Sequence, residues 1–194
     1  MKEPTPETNG RAKSMLTDPQ KHRFDRLFDL LDADRNGVID LADYHRLGDV
    51  SGDDLTPQPG SAAGEPIRAS FTRFWDQVVR PLDSDGQGTI TREQFVTALG
   101  QMAAQPEGFD TALGPAVDAV FDLMDLDGDG QVREDEYIQT LTVFGLTPAA
   151  AQQTFAHLDN GDGLLGRAEF RSLARDFYLS DSPDSIGNLL FGPL

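Results

Sequence analysis

Acidic side chains recur at fixed intervals in residues 125–136, whose sequence is DLDGDGQVREDE. Acids occupy positions one, three, five and twelve of this stretch, and a glycine occupies position six. Calcium is a hard cation that takes about six to eight oxygen ligands, and a twelve-residue loop supplies them when acids alternate along its first turn. The spacing therefore predicts a calcium-binding loop, rather than an acidic turn between two helices. The predicted ligands are Asp125, Asp127, Asp129, the backbone carbonyl of Gln131 and both oxygens of Glu136.

Residues 32–43 repeat the pattern with an aspartate at the last position. Asp43 is one methylene shorter than a glutamate, so we expect it to coordinate through a single oxygen. Magnesium prefers six ligands in a tight octahedron, and we therefore expect it to compete with calcium at this loop. The predicted ligands are Asp32, Asp34, Asn36, Asp43 and the backbone carbonyl of Val38, with Asp40 at position nine as a weaker candidate.

A third stretch, residues 83–94, keeps the turn but loses the ligands. Gln94 stands at position twelve, where its amide offers one neutral oxygen, and Asp83 and Asp85 are the acids left in the first turn. We predict a structural partner loop here rather than a tight site. Its Ile90 is expected to pair with Ile39 of the preceding loop in a short two-stranded contact.

The fourth stretch, residues 159–169, has eleven residues instead of twelve. When positions are counted back from Gly163 and Glu169, one residue is missing between Asp159 and Asn160. Glu169, Asn160 and Asp162 keep the spacing from Gly163 that a twelve-residue loop requires. Asp159 is displaced by one position, so its side chain has to reach the metal from a shifted backbone. These four residues form a weaker candidate site, and metal binding here is left open. Leu165 is expected to pair with Val132 in either case.

Apolar residues at helical spacing flank each loop. Phe24, Leu27, Phe28 and Leu31 recur at i, i+3, i+4 and i+7, which indicates an amphipathic helix running into the first loop. We predict that this helix starts with Asp18-Pro19 as cap and first residue, and that Thr147-Pro148 starts a later helix in the same way. Pro81 is expected to bend or tighten the end of the helix that precedes residues 83–94. The fold class is therefore all-α.

The net charge of −17 is concentrated in the loops, because 16 of the 33 acids fall in these four stretches, about a quarter of the chain. That placement favours cation binding, and it disfavours direct nucleic-acid binding because backbone phosphates would repel such a surface. The absence of cysteine excludes disulfides. No apolar run approaches the ~20 residues that span a bilayer. We expect a soluble, cytoplasmic monomer without a membrane span.

The motif resembles that of the EF-hand proteins. Residues 18–191 are similar to the calerythrin-like bacterial relatives of the sarcoplasmic calcium-binding proteins, through KHRFDRLFDLLDADRNG (21–37), LGP (113–115) and ARDFYL (174–179). The resemblance implies four helix-loop-helix units in two pairs that form one compact globule. In chain order the loops are residues 32–43, 83–94, 125–136 and 159–169. The resemblance also implies that the first of these ends in aspartate, that the second is degenerate, and that the first, third and fourth hold metal. The last of these includes Asp159, Asn160, Asp162 and Glu169.

The pattern predicts four segments along the chain. An N-terminal tail is expected to be disordered, two EF-hand pairs follow, and the C-terminal tail with its apolar end is expected to pack on the core. The segments are residues 1–17, 18–104, 105–180 and 181–194.

Two functions remain open, a calcium buffer or transport protein and a calcium sensor that exposes an apolar surface to a partner protein. Known sensor grooves are rich in methionine, and beyond the first residues this chain has only Met102 and Met124. Its 12 phenylalanines suit a rigid core. The sequence therefore favours the buffer. An enzyme is not expected, because oxygen-saturated metal sites leave no open position for a substrate.

Overall fold

The computed structural model of the chain describes residues 16–49, 71–105 and 109–193. Within these ranges each acidic stretch connects two helices and contains a three-residue strand, which confirms the all-α class with short β contacts. The predicted tail up to residue 15 lies outside the described residues, and so do residues 51–65, whose Gly, Pro and Ser content is typical of a linker.

The N-terminal half contains two helix-loop-helix units, with loop 1 at residues 32–43 and loop 2 at 83–94. Its elements are α1 (Asp18–Leu31), β1 (Val38–Asp40), α2 (Leu41–Asp49), α3 (described over residues 71–82), β2 (Thr89–Thr91) and α4 (Arg92–Ala103).

The C-terminal half contains the other two units, with loop 3 at residues 125–136 and loop 4 at 159–169. Its elements are α5 (Phe109–Ala112), α6 (Gly114–Met124), β3 (Gln131–Arg133), α7 (Glu134–Val143), α8 (Pro148–Leu158), β4 (Leu164–Gly166), α9 (Arg167–Leu179) and a final 3₁₀ helix (Ile186–Leu189).

The first helix begins one residue earlier than predicted, at Asp18. Thr17, not Asp18, caps α1, because its side chain accepts a hydrogen bond from the backbone of Gln20 while the Gln20 side chain accepts one from Thr17. Pro19 consequently lies at the second helical position. The threonine and glutamine three residues apart are the signature of a capping box, so the sequence did contain the correct signal. The start of α8 is as predicted, with Thr147 as the cap and Pro148 first.

The helix that leads into loop 2 is irregular. Residues 71–74 of α3 are α-helical, Trp75–Val79 form a π-helix, and Arg80–Leu82 close the helix as a 3₁₀ turn. Pro81 lies in that last turn, where its missing N–H removes a helical hydrogen bond, so the predicted tightening is confirmed. This turn delivers Asp83 to the start of loop 2.

The loops pair through their central residues. Strand β1 is antiparallel to β2 with Ile39 opposite Ile90, and β3 is antiparallel to β4 with Val132 opposite Leu165. All four side chains are fully buried. Both predicted contacts are confirmed. Each loop is therefore tied to its partner by a buried apolar pair at position eight.

The two halves share one hydrophobic core. The ring of Phe24 on α1 lies 5.9 Å from that of Tyr178 on α9, and the ring of Phe71 on α3 lies 6.1 Å from that of Phe144 after α7. Leu16 also packs against this core, although it lies in the segment predicted to be a disordered tail. The apolar faces of both halves are thus buried against each other. No helix in the described ranges is long and apolar enough to cross a bilayer.

The end of the chain folds back over α9 and α1. Leu190 is fully buried, and its carbonyl accepts a 3.0 Å hydrogen bond from the Tyr137 hydroxyl. The fully buried Arg23 of α1 donates to the Asn188 side chain at 2.7 Å and to the Ser180 carbonyl. Burial lowers the pKa of Arg23, and the nearby acids of this region act against that shift. The C-terminal segment is therefore an integral layer of the fold.

We expect Gly187→Ala to destabilise the protein, because a Cβ at this position would lie 2.5 Å from the Phe177 nitrogen and 2.7 Å from the Leu173 carbonyl. Backbone atoms move aside less readily than the end of a flexible side chain. We therefore expect the substitution to lower the free energy of unfolding by about 1–3 kcal/mol, measured by urea denaturation. Gly114→Ala is the matched control, since its Cβ would meet nothing closer than 3.9 Å. Equal stability of the two variants would show that the C-terminal segment is not packed this tightly.

Candidate metal centres

The start of loop 3 is held by backbone N–H groups that point at its acids. The two oxygens of Asp125 accept hydrogen bonds from the N–H groups of Asp129 at 3.1 Å and Gly130 at 2.9 Å. Gly128 and Gly130 adopt φ values of 74° and 85°, a left-handed conformation that glycine enters without a Cβ penalty. These two turns bend the chain around Asp125.

Glu136 closes loop 3 from the first turn of α7. Its Oε1 accepts from the Leu126 N–H at 2.9 Å, and its Oε2 accepts from the Arg133 N–H at 2.9 Å. Although separated by up to eleven positions, Asp125, Asp127 and Glu136 bring carboxylate oxygens within 4.8 Å of one another. This is the first of two candidate metal centres.

Loop 1 repeats the arrangement. Asp32 accepts from the N–H groups of Asn36 at 3.0 Å and Gly37 at 2.9 Å. Gly37 has a φ of 90°, and Arg35, at the position that glycine holds in loop 3, has a φ of 59°. A non-glycine residue in this region is uncommon, so the turn is held by the rest of the loop rather than by local preference.

Asp43 takes the closing position of loop 1. Its two oxygens accept from the N–H of Asp34 at 3.3 Å and from that of Asp40 at 2.9 Å. The Asp40 carboxylate, in turn, accepts from the Ala42 N–H at 2.7 Å and so caps α2. The second candidate metal centre consists of Asp32, Asp34 and Asp43, again within 4.8 Å, and Asp40 is not part of it.

The Asp43 carboxyl is the most enclosed acid of the two centres. Its side chain has no exposed area, and burial raises its pKa, while the hydrogen bonds from the backbone of Asp40 and Asp34 act in the opposite direction. The neighbouring acids raise the pKa further through charge repulsion. A buried carboxylate among other acids is costly unless a cation compensates it.

An arginine lies at each centre. Arg46 of α2 is 2.8 Å from an Asp34 oxygen, and Arg133 of β3 is 3.1 Å from Asp127 and also bonds Asp129. The pairing with Arg133 lowers the pKa of Asp129. Both arginines escaped the sequence analysis, although Arg46 lies three residues after Asp43 and therefore one helical turn from the centre. Each partly offsets the repulsion among the acids around it.

Loop 2 has the same shape with a neutral last residue. Asp83 accepts from the Gly88 N–H at 2.8 Å, and the Gln94 amide oxygen accepts from the Thr91 N–H at 2.8 Å, as the closing carboxylates do in loops 1 and 3. The Gln94 amide nitrogen donates to Ser84 at 3.2 Å. The amide therefore satisfies the loop internally and presents a donor where a metal requires an acceptor.

Loop 4 is closed around Asp159 with one residue fewer. Asp159 Oδ1 accepts from the N–H groups of Asp162 at 3.2 Å and Gly163 at 3.0 Å, the same two loop positions that bond the first acid of loop 3. Asn160 donates its amide to Glu169 at 3.2 Å. Among the described residues, groups of three clustered acids occur at loops 1 and 3 and not at loop 4.

The two centres fit a hard divalent cation. Their carboxylates are oxygen donors, the preferred ligands of calcium, and at each centre a fully or largely buried acid stands among other acids. Of the remaining predicted ligands, the Asn36 and Asp129 oxygens each accept a 2.9 Å hydrogen bond from the residue two positions later, Val38 and Gln131. Asn36 and Asp129 thus lie along the same loop turns as the clustered acids.

Comparison with protein families agrees with the loop geometry. The family profile described as an EF-hand domain pair matches residues 70–142, and the profile described as an EF hand matches residues 24–47, together half of the chain. The chain is an EF-hand protein. Calcium binding follows from this membership and from the two centres.

Two relatives support the narrower resemblance. Calerythrin of Saccharopolyspora erythraea is 28% identical over 168 residues, which cover 85% of this chain and 93% of the relative. The beta chain of the sarcoplasmic calcium-binding protein of Penaeus sp. is 24% identical over 181 residues, covering 85% and 91%. The protein is calerythrin-like and similar to the sarcoplasmic calcium-binding proteins, as the sequence predicted.

Solved structures share the fold. A calcium-binding protein of Streptomyces coelicolor, whose structure is described as the structural basis for prokaryotic calcium-mediated regulation, is 29% identical with a TM-score of 0.60. The match covers 82% of this chain and 97% of that one. The calcium-loaded apo form of the coelenterazine-binding protein of Renilla muelleri has a TM-score of 0.75 at 23% identity, covering 92% and 100%. At that identity the second match shows the fold alone.

We expect Glu136→Gln to abolish calcium binding at loop 3 and to leave loop 1 intact, because it reproduces at loop 3 the amide of Gln94. Isothermal titration calorimetry should show one fewer calcium-binding event than in the parent. Asp135→Asn is the control, since it removes the same charge from an exposed neighbour. An unchanged number of sites in Glu136→Gln would exclude Glu136 as a ligand.

We expect Asp43→Asn to raise the melting temperature of the calcium-free protein at pH 7. The raised pKa means that the ionised Asp43 destabilises the fold above its folded pKa, and that this penalty fades as the pH falls towards about 3.9, the value of a free aspartate. Thermal scans in chelator from pH 7 to pH 3.5 should therefore show the parent and the variant converging. A variant that melts below the parent at pH 7 would contradict the burial argument.

Proposed function

We propose that the protein is a cytoplasmic calcium buffer or transport protein that acts as a monomer and is not an enzyme. Loops 1 and 3 are its principal sites, and loop 4 is a weaker one. The ligands are the following: Asp32, Asp34, Asn36, Asp43 and the Val38 carbonyl in loop 1, with Asp40 as an accessory group of that loop; Asp125, Asp127, Asp129, Glu136 and the Gln131 carbonyl in loop 3; and Asp159, Asn160, Asp162 and Glu169 in loop 4.

The burial of the apolar helix faces supports the buffer most directly. A sensor has to expose an apolar surface to its partner when calcium binds. Here both halves direct these faces into one core, and among the described residues Leu126 and Ile186 are the only large hydrophobic side chains classed as exposed, at 46% and 48%. The C-terminal segment adds further contacts between α1, α7 and α9. Opening such a core would break contacts across the whole molecule.

Each half of the protein is proposed to contain one principal metal-binding loop and one partner loop. Residues 18–104 form a pair in which loop 1 binds and loop 2 supports it, and residues 105–180 form a pair in which loop 3 is the stronger site. Buried pairs at Ile39–Ile90 and Val132–Leu165 support this division, because each active loop is braced by its neighbour. The C-terminal segment from residue 181 is proposed as a tail that packs on the core, which the burial of Asn188 and Leu190 supports.

Loop 1 is proposed as the site at which magnesium competes. Its closing residue is the shorter aspartate, which is fully buried. A single closing oxygen suits the six-coordinate shell of magnesium better than the larger shell of calcium. Calcium titrations with and without magnesium test this: magnesium should weaken the loop 1 site more than the Glu136-dependent site.

The alternative function is a calcium sensor that regulates a partner protein. The observation in its favour is the similarity to the Streptomyces coelicolor protein, whose description refers to calcium-mediated regulation. A sensor also needs a bistable element, and the π and 3₁₀ turns of α3 are the irregular part of the described helices.

Hydrophobic-interaction chromatography on phenyl-agarose distinguishes the two functions. A phenyl group bound to a bead contacts apolar side chains on the outer surface of the protein and does not enter the core. We expect the same retention in calcium and in chelator. Glu136→Gln serves as the control for calcium occupancy, and a calmodulin-type sensor run on the same column confirms that the column detects opening. Retention that appears with calcium and is lost in Glu136→Gln would establish the sensor instead.

A further inference from the structure

A guanidinium from the helix after loop 2 lies against the end of the helix before loop 1. Arg92 is the first residue of α4, and its guanidinium carbon lies 4.2 Å from the centroid of the Phe28 ring. It also donates to the Asp29 carboxylate and, at 2.9 Å, to the backbone carbonyl of Asp25, whose carboxylate lies 3.7 Å away. Phe28 is fully buried, so the arginine contacts a core ring and two acids at once. Arg92 therefore joins α4 to the last two turns of α1.

The C-terminal half repeats this contact. Arg167 is the first residue of α9, and its guanidinium carbon lies 4.2 Å from the ring centroid of Phe121 on α6. It donates to Asp122 at 2.6 Å and lies 3.7 Å from Asp118. Asp118 is shared with Arg171, which donates to it at 2.8 Å. The two contacts are equivalent, because each arginine follows the buried position-eight residue of its own loop by two positions.

The helices that these arginines contact carry the same short motif. Residues 25–29 of α1 read DRLFD and residues 118–122 of α6 read DAVFD, so an acid, a phenylalanine and a second acid recur at the same spacing. In both helices the second acid lies three residues before the first predicted ligand of the loop, Asp32 or Asp125. Each arginine therefore holds the turn of helix from which the first calcium ligand follows.

Charge explains what each arginine contributes. The C-terminal end of a helix carries a partial negative charge, so acids in its last turn are unfavourable and cations are favourable. Asp29 and Asp122 lie in the last turns of α1 and α6, and neither turn contains a basic residue of its own. Arg92 and Arg167 supply this cation from the neighbouring hand. An exposed ion pair contributes little by itself, and here stacking on an aromatic ring adds to it and fixes the guanidinium in place.

We infer that Arg92 and Arg167 are positioning residues for calcium binding, Arg92 for loop 1 and Arg167 for loop 3. Each fixes the last turn of the entering helix, which reduces the cost of ordering the loop when it closes on the ion. Loop 2 thus has a role beyond strand pairing, because the helix that follows it begins with Arg92. The inference rests on the proposed metal binding of loops 1 and 3, and it does not depend on the choice between buffer and sensor.

A crossed calorimetric titration of the full chain with calcium tests each arginine at its own loop. Loop 1 is the principal site left in a Glu136→Gln background, and loop 3 is the principal site left in an Asp32→Asn background. We expect Arg92→Gln to weaken calcium binding about threefold in the first background and to leave the second unchanged, which also shows that the variant folds. Arg167→Gln should give the reverse pattern. Equal weakening in both backgrounds would indicate a general loss of stability and would overturn the inference.

The sign of the change separates positioning from simple charge repulsion. Removing a positive charge near a calcium site raises the affinity when charge alone matters. Arg92→Lys keeps the charge and part of the stacking, so its calcium affinity should lie between those of Arg92→Gln and the parent. A higher affinity in Arg92→Gln than in the parent, or an Arg92→Lys variant that binds no better than Arg92→Gln, would overturn the inference.

A third arginine provides the matched control. The guanidinium carbon of Arg175 lies 5.3 Å from the ring centroid of Phe109 on α5, a helix that does not run directly into a calcium loop. Arg175→Gln removes the same charge and a contact of the same kind, and it should leave calcium binding unchanged in both backgrounds. Weakening as large as that of Arg92→Gln would show that the effect is not specific to the entering helices, and the inference would fail.

The contact with α1 is also measurable without calcium. In chelator, Arg92→Gln should lower the melting temperature less in an Asp29→Asn background than in the parent, because the two side chains share one interaction. Arg167→Gln should behave in the same way with Asp122→Asn. Losses of melting temperature that simply add would show that the arginines do not interact with these acids, and the inference would fail.

Two outcomes of the titration distinguish this inference from the proposed function. An absence of calcium binding in the Glu136→Gln background would remove loop 1 as a site, and the role of Arg92 would be lost with it. Calcium binding in that background that is the same with and without Arg92→Gln would leave the site in place and overturn the positioning role alone.

Discussion

Repulsion between carboxylates that are held close together is the constraint on which this structure depends. At loops 1 and 3, three acids bring oxygens within 4.8 Å of one another, and the closing acid is buried. Such groups stay together because backbone N–H groups are aimed at them and because an arginine lies beside each cluster. Asp32 and Asp125 each collect two of these bonds from residues four and five positions later. The loop backbone thus holds the acids in place, and calcium supplies the positive charge that the arrangement lacks.

The loops cannot hold this shape alone. Each is braced by its neighbour through a buried pair at position eight, and this explains why loop 2 keeps its form despite Gln94. The amide accepts the same backbone hydrogen bond from position nine as a closing carboxylate. A loop without metal ligands can therefore preserve the geometry of a loop that has them. Loop 4 supports loop 3 in the same way, through Leu165 opposite Val132.

The shared core links the sites to the rest of the molecule. Closing residues Asp43 and Glu136 stand at the starts of α2 and α7, and the next residue of each helix is a fully buried tyrosine. The Tyr137 hydroxyl donates a hydrogen bond to the C-terminal segment, whereas the Tyr44 hydroxyl has no hydrogen-bond partner among the residues that the structure describes. The two halves therefore use equivalent side chains differently, since Tyr137 anchors the C-terminal segment and Tyr44 packs in a cluster of aromatic rings.

The sequence by itself determined the all-α fold, the positions of the four loops and the apolar pairs between them, because these depend on local spacing and on residue type. It also predicted the irregular end of α3 from Pro81 and the start of α8 from Thr147. It misplaced the cap of α1 by one residue, since Asp18 and Thr17 are both good caps and only the bond with Gln20 distinguishes them.

Tertiary structure decided the features that depend on distance between segments remote in sequence. It folded the C-terminal segment onto Arg23 and Tyr137. It also buried the Tyr44 hydroxyl without a hydrogen-bond partner among the described residues. The contacts of Arg46 and Arg133 with the acids, and the capping of α2 by Asp40, are local in sequence by comparison. Periodicity shows which face of a helix is buried, but the groups that meet that face are set by how the helices pack.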